Sequence, residues 1–183
     1  MHKEKKVNRM IKVLDENHRV YFNNIFPYTR KKKDDKNLKK KKHVVTIGIG
    51  GNIGDVQKRF KMLFKMLKND SRFVIENTSP ILKNPPFGYL NQDDFLNAVI
   101  VLRTNLSPIS SLNVFQRYEY RFKRTRSFQD APRTMDIDII FYDDIKIETK
   151  RLIIPHKGYK NRDSVLIPLR YISKLKYGKI NRN

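Results

Sequence analysis

An α+β fold in the order β-α-β-β-α-β is predicted by three features of this sequence. Val44-Val45-Thr46-Ile47-Gly48-Ile49 is a β-branched strand, and apolar residues at helical spacing follow it at Phe60, Leu63, Phe64 and Leu67. Two more strand-like runs come in succession, Phe73 to Lys83 and Phe95 to Thr104, before a helix opened by Ser107-Pro108. A last strand runs from Asp136 to Tyr142. This is a ferredoxin-like split βαβ plan, with extra strands and a basic N-terminal extension.

The punctuation between elements supports each one. The first strand runs into Gly50-Gly51-Asn52-Ile53-Gly54-Asp55, where Asp55 is a plausible N-cap for the helix that follows. Asn84-Pro85-Pro86-Phe87-Gly88 closes the second strand, because each proline fixes its own φ and restricts the residue before it. The second helix continues through Leu112, Phe115 and Glu119, and Asp143-Asp144 makes a turn into a short strand near Ile145 to Glu148.

Residues 1–43 differ in character from residues 44–183, and the two are read as an extension and a folded domain. Met10, Ile11, Val13 and Leu14 suggest a short amphipathic helix, and Val20 to Phe26 a strand. Arg30 to Lys42 is Lys-rich and nearly free of apolar residues, as an exposed linker would be. On this reading, deletion of residues 1–36 leaves the chemistry intact.

The 183 residues carry a net charge of +22. The excess is spread along the chain: residues 1–43 hold 15 Lys and Arg against 5 Asp and Glu, and residues 44–183 hold 25 against 13. A basic surface attracts nucleic acid, anionic lipid or phosphorylated ligands, and a lysine-favouring genome also produces one. There are no cysteines, which excludes disulfides and thiolate metal sites and suits a reducing compartment. No apolar run approaches the roughly 20 residues that span a bilayer. A cytoplasmic, monomeric protein without a membrane partner is expected.

The most informative segment is Ala131-Pro132-Arg133-Thr134-Met135-Asp136-Ile137-Asp138-Ile139-Ile140. On a strand Asp136 and Asp138 share a face about 7 Å apart. They would repel by roughly 2.4 kcal/mol at an effective dielectric of about 20. A cation relieves that repulsion, and magnesium, which binds a carboxylate or two plus substrate phosphates, is the natural one. Arg133 adds a positive charge for the same phosphates.

Other segments are weaker alone. Gly48, Gly50 and Gly54 fit neither G-x-G-x-x-G nor a Walker A loop, so a tight strand-to-helix turn is the simpler reading. Phe95 and Asn97 lie on alternate residues of one strand, as stacking on a flat ring and reading its amide-like edge would require. Phe95 as a core residue and Asn97 as an edge residue remain the alternative. Arg117, Arg121, Lys123, Arg124 and Arg126 leave a helix and lead toward Arg133, either as a solvated helix end or as a lid closing on polyphosphate. Pro155-His156 with Lys160-Asn161-Arg162 forms a second cationic cluster.

Taken together, residues 44–172 resemble the 6-hydroxymethyl-7,8-dihydropterin pyrophosphokinase family. The resemblance rests on Gly-Gly-Asn (50–52), Asn-Pro-Pro-Phe-Gly (84–88), Asp-Phe-Leu-Asn (94–97) and Gln-Arg-Tyr-Glu (116–119). Ala-Pro-Arg-Thr-Met-Asp-Ile-Asp (131–138), Arg-Leu-Ile-Ile-Pro-His (151–156) and Lys-Asn-Arg (160–162) complete it. It implies transfer of diphosphate from ATP, the co-substrate, to the pterin's hydroxymethyl group. By this likeness Asp136 and Asp138 hold two magnesium ions, and Arg124 and Arg133 neutralise charge during transfer, with the catalytic-side Arg126 nearby on the lid. Gln116, Glu119, Ile139, Arg151, His156, Lys160 and Arg162 match nucleotide-contacting or supporting positions. Asn97 and the backbone from Asn84 through Pro85 and Pro86 to Phe87 would read the pterin edge, with Phe95 stacked on the ring. The chain departs from the family pattern at Gly51, at Lys157, at Ser164 (where an aromatic is usual), and at Ser127–Asp130, which is one residue shorter. The competing reading is a basic RNA- or ribosome-binding protein, but the Lys/Arg-Gly-aromatic pattern of an RNA-binding sheet is missing.

Overall fold

The structure, a computed structural model, describes residues 10–22, 26, 28, 36–124 and 131–173. In chain order the elements are β1 (Met10–Val13), β2 (Arg19–Phe22), α1 (Lys36–Lys39), β3 (His43–Gly51) and α2 (Val56–Asn69). Then come β4 (Phe73–Thr78), β5 (Ile81–Asn84), β6 (Phe95–Thr104), α3 (Pro108–Arg121) and β7 (Asp136–Tyr142). The short strands β8 (Ile147–Glu148) and β9 (Ile153–Ile154) pair with each other, and α4 (Asp163–Ser173) follows.

The protein is α+β with an antiparallel main sheet. At its centre β3 pairs with both β6 and β7, and β4 lies on the far side of β6. The resulting order β7-β3-β6-β4 is consistent with the ferredoxin-like plan. Helices α2 and α3 begin where the sequence places them. Asp55 accepts from the Lys58 N–H at 2.9 Å, and Ser107 caps α3 just before Pro108. Phe60, Leu63, Phe64 and Leu67 of α2 are buried against Ile47, Ile49, Ile100 and Leu102 of the sheet. Val114, Phe115 and Tyr118 of α3 join the same core.

Three sequence expectations give way, and one helix appears for which none was made. Met10–Val13 is a strand, not a helix: it pairs with β2, and that cross-strand ladder outweighs a helical period covering barely one turn. The single strand expected over Phe73 to Lys83 is broken at Ser79-Pro80, since proline has no N–H for the ladder. Its two halves, β4 and β5, take successive stretches of the same edge of β6. Val165 to Leu169 lies in α4, a helix hidden from a sequence reading by the internal Pro168. The presumed linker contains α1, whose Leu38 is buried.

The region before residue 43 is packed into the rest. β2 pairs with β5, Tyr28 and Thr78 exchange hydrogen bonds, and Phe26 is 0% exposed between Phe60 and Phe64. Deletion of residues 1–36, expected to leave the chemistry intact, would strip these contacts from the sheet and core.

Candidate active site

Alternation along β7 sorts its residues onto two faces. Ile137 and Ile139 pair with Ile49 and Ile47 and point into the core beneath α2 and α3. Asp136 and Asp138 pair with Gly50 and Gly48 and point to the opposite face. Ile140 follows on that face by the same alternation, and a bulge at the Thr46/Ile47 step leaves it unpaired. There α4 covers Val99, Val101 and Ile140 with Val165, Leu169 and Ile172, and beside it a cleft remains open.

Gly48 and Gly50 line this cleft, and Gly51 follows them at the end of β3. A Cβ on Gly50 would lie 2.5 Å from Asn97 Oδ1, and one on Gly51 would lie 2.7 Å from the Thr134 carbonyl oxygen. The first gap admits the Asn97 side chain, which donates to Asn84 Oδ1 at 2.8 Å. The second lets the Arg133-Thr134 backbone lie against the end of β3. Asn52 fastens that backbone: its Oδ1 accepts from the Arg133 N–H at 2.9 Å, and its Nδ2 donates to Gln92 Oε1 and the Asp93 carbonyl. Arg59 adds a bond from Nε to the Thr134 carbonyl at 2.8 Å.

Charge is concentrated around the two aspartates. Arg124 Nη2 lies 2.5 Å from Asp136 Oδ1, and Arg133 Nε lies 3.4 Å from Asp136 Oδ2. His156 Nε2 is 3.8 Å from Asp138 Oδ2, with the histidine backbone anchored to the Ile140 carbonyl at 3.0 Å. Burial pushes the Asp138 carboxyl up from its ordinary pKa, and repulsion from Asp136 adds to the shift. The Asp138 side chain nonetheless stays 35% exposed to the cleft. A cation at this pair would relieve the repulsion, so the donor set fits magnesium. The surrounding donors fit anionic oxygens: Arg124 Nε, Arg133 Nε and His156 Nδ1 are buried without an aligned hydrogen-bond partner.

Glu119 supports the site from below. It is buried on α3, pairs with Arg124 Nη1, and accepts from the Ile137 N–H at 2.7 Å. Burial raises its carboxyl to about 7, against the pull of Arg124 and the Ile137 N–H, and Asp136 adds to the rise. A carboxyl whose folded pKa exceeds its unfolded one loses stability as pH rises from the unfolded value toward the folded one. Metal-free Glu119→Gln is therefore expected to gain stability relative to the parent between pH 5 and 7 in urea denaturation. A constant difference across that range would count against the assignment.

The cleft gathers Asn84, Pro85, Phe87, Phe95, Asn97, Arg133, Asp136, Asp138, His156 and Arg162. Arg133 sits over the Phe95 ring at 5.0 Å and Arg162 over the Phe87 ring at 5.6 Å. Ser164, the departure from the aromatic pattern, is also in the wall. Other expected site residues lie elsewhere. Ile139 is buried in the core by strand alternation, Gln116 and Lys160 are exposed, and Arg151 donates to Asn113 Oδ1 at 2.9 Å. Pro86 does not line the cleft, and Arg126 and Ser127–Asp130 fall outside the described residues. The sequence reading missed Asn52 and Arg59 as organisers of the Arg133 backbone. Asn52 was visible only as the last residue of Gly-Gly-Asn, and Arg59 left no signal.

The profile of the 7,8-dihydro-6-hydroxymethylpterin-pyrophosphokinase (HPPK) family matches residues 46–174. The chain belongs to this family. It is similar to the 2-amino-4-hydroxy-6-hydroxymethyldihydropteridine pyrophosphokinase of Campylobacter jejuni, 44% identical over 133 residues, covering 73% of this chain and 85% of the relative. The enzyme of the same name from Helicobacter pylori is 42% identical over 127 residues, covering 68% of this chain and 78% of its own. That from Bacillus subtilis is 34% identical over 127 residues, covering 69% and 76%. The activity is that of the HPPK family: diphosphate passes from ATP to hydroxymethyldihydropterin in folate biosynthesis.

Proposed function

We propose that the cleft divides into a ring side and a phosphate side that meet at Asp136 and Asp138. On the ring side Asn97 and Asn84 face the pterin edge, and Phe95 supplies an aromatic surface. On the phosphate side Arg133, Arg124, His156 and Arg162 offset the charge of the ATP chain. Asp136 and Asp138 would hold two magnesium ions, which would supply positive charge to offset that of the ATP phosphates. The observation that carries the reading is that one cleft contains both the carboxylate pair and the Phe95–Asn97 pair. The strand order supports assigning the fold to the ferredoxin-like class, with residues 1–43 as an added extension to a domain over 44–183. No helix among the described residues is long and apolar enough to cross a membrane, and a cytoplasmic setting is part of the proposal.

In the transfer itself the pterin hydroxymethyl oxygen bonds to the β-phosphorus of ATP. The bond from that phosphorus to the oxygen bridging the α-phosphate breaks, AMP leaves, and the hydroxyl proton is lost. Negative charge spreads over the moving phosphoryl oxygens, so fixed guanidinium groups lower the barrier most when they are already in place. Asn52 and Arg59 hold the backbone that carries Arg133, and Glu119 holds Arg124. The chain thus contributes position and charge.

MgATP and hydroxymethyldihydropterin incubated with the protein are expected to yield AMP and the pterin diphosphate. Phe95→Ala is expected to weaken pterin binding about tenfold, the scale of a lost stacking contact. Affinity for an ATP analogue should hold. Equal loss of both ligands in that variant would refute the division of the cleft.

A further inference from the structure

The β1–β2 hairpin lies outside the stretch matched by the family profile, yet it touches two elements that wall the cleft. On one side β2 pairs with β5, Tyr21 opposite Ile81 and Arg19 opposite Lys83. β5 ends at Asn84, whose Oδ1 receives the Asn97 hydrogen bond. On the other side His18 Nε2 lies 3.6 Å from Asp163 Oδ2, with Asp15 fixing the imidazole from 2.8 Å at Nδ1. The Phe22 ring meets Tyr171 edge-on, with centroids 5.9 Å apart. Asp163 and Tyr171 both belong to α4, whose Ser164 and Val165 line the cleft. β5 and α4 are far apart in sequence, and the hairpin grips both.

We propose that the β1–β2 hairpin is a positioning element for the ring side, using His18 at the first turn of α4 and Phe22 at its last turn to fix the gap between the Asn84 loop and that helix. This inference rests on the assignment of that side to the pterin. Asp136 and Asp138 are carried by β7 at the opposite edge of the sheet from β1, beyond the hairpin's contacts. The effect is therefore selective for the ring. A change in the width of a binding slot alters affinity for a rigid heterocycle, while of the phosphate-side groups only Arg162 adjoins the hairpin's contacts, and Arg124, Arg133 and His156 lie on other segments.

The test uses the full-length chain with Phe22→Ala, His18→Ala and Phe22→Tyr, and with Ile11→Ala on the exposed edge of β1 as a surface control. Each is titrated with hydroxymethyldihydropterin in the presence of a non-hydrolysable ATP analogue, and with the analogue alone. Phe22→Ala and His18→Ala are expected to weaken pterin affinity about fivefold, with the analogue's affinity unchanged. Phe22→Tyr and Ile11→Ala should match the parent. Unaltered pterin affinity in both alanine variants, or equal weakening toward both ligands, overturns the proposal. His18→Ala keeps the test decisive should Phe22→Ala fold poorly, because it removes the imidazole's contacts to Asp15 and Asp163 and no core contact. Asn97→Ala is measured alongside. If it leaves pterin affinity intact, the ring-side assignment is at fault. If it weakens binding while the hairpin variants do not, only the hairpin's role falls.

Discussion

Asp138→Asn is expected to cut AMP release about a thousandfold, the rate equivalent of the several kcal/mol supplied by metal-assisted charge stabilisation. The same substitution should hold or raise the melting temperature of the metal-free protein. Burial and the nearby Asp136 disfavour the ionised Asp138 carboxyl in the fold, and an amide removes that penalty. Asp136→Asn should lose activity on a similar scale but also lose stability. Its carboxylate is gripped by Arg124 and Arg133, and truncating one partner leaves buried cations poorly paired. Opposite stability effects with a common loss of turnover would distinguish a metal seat from a structural ion network. A pair of variants that both melt early and both keep AMP release would refute the metal assignment.

Phe26→Ala is expected to destabilise the protein by about 3–5 kcal/mol, the range for a fully buried aromatic. Phe26 is 0% exposed, and its ring packs at 6.4 Å from Phe60 and 5.9 Å from Phe64. Chemical denaturation would read the change directly. Cavity formation should act on stability and leave turnover of the remaining folded protein near the parent's, since Phe26 lies on the helix side of the sheet and the cleft on the other. A loss under about 1 kcal/mol would mean that the segment before residue 43 packs more loosely than its burial implies.

The sequence made the centre of the fold and of the site readable for the same reason: both depend on short-range periodicity. Alternation at 136–140 put two carboxylates on one face, and helical spacing at 60–67 put four apolar side chains on another. Caps at Asp55 and Ser107 lie within three residues of what they bind. What escaped depends on partners distant in sequence. Met10–Val13 is a strand because Arg19–Phe22 lies beside it and Ile81–Asn84 lies beside that in turn. Ile139 is core because its register partner is Ile47, although its neighbours in sequence, Asp138 and Ile140, line the cleft. Asn52 matters through a backbone 81 residues further along, and no local pattern marks such a tie.

The alternation of β7 has a consequence for folding fidelity. A slip of one residue against β3 would exchange the two faces, driving Asp136 and Asp138 under α2 and α3 and bringing Ile137 and Ile139 into the cleft. Two unpaired carboxylates in the core cost more than the slipped ladder could recover. The residues proposed to hold the metal thus also proofread the strand pairing: a misaligned chain is rejected by its own stability before it can persist as a folded but inactive protein.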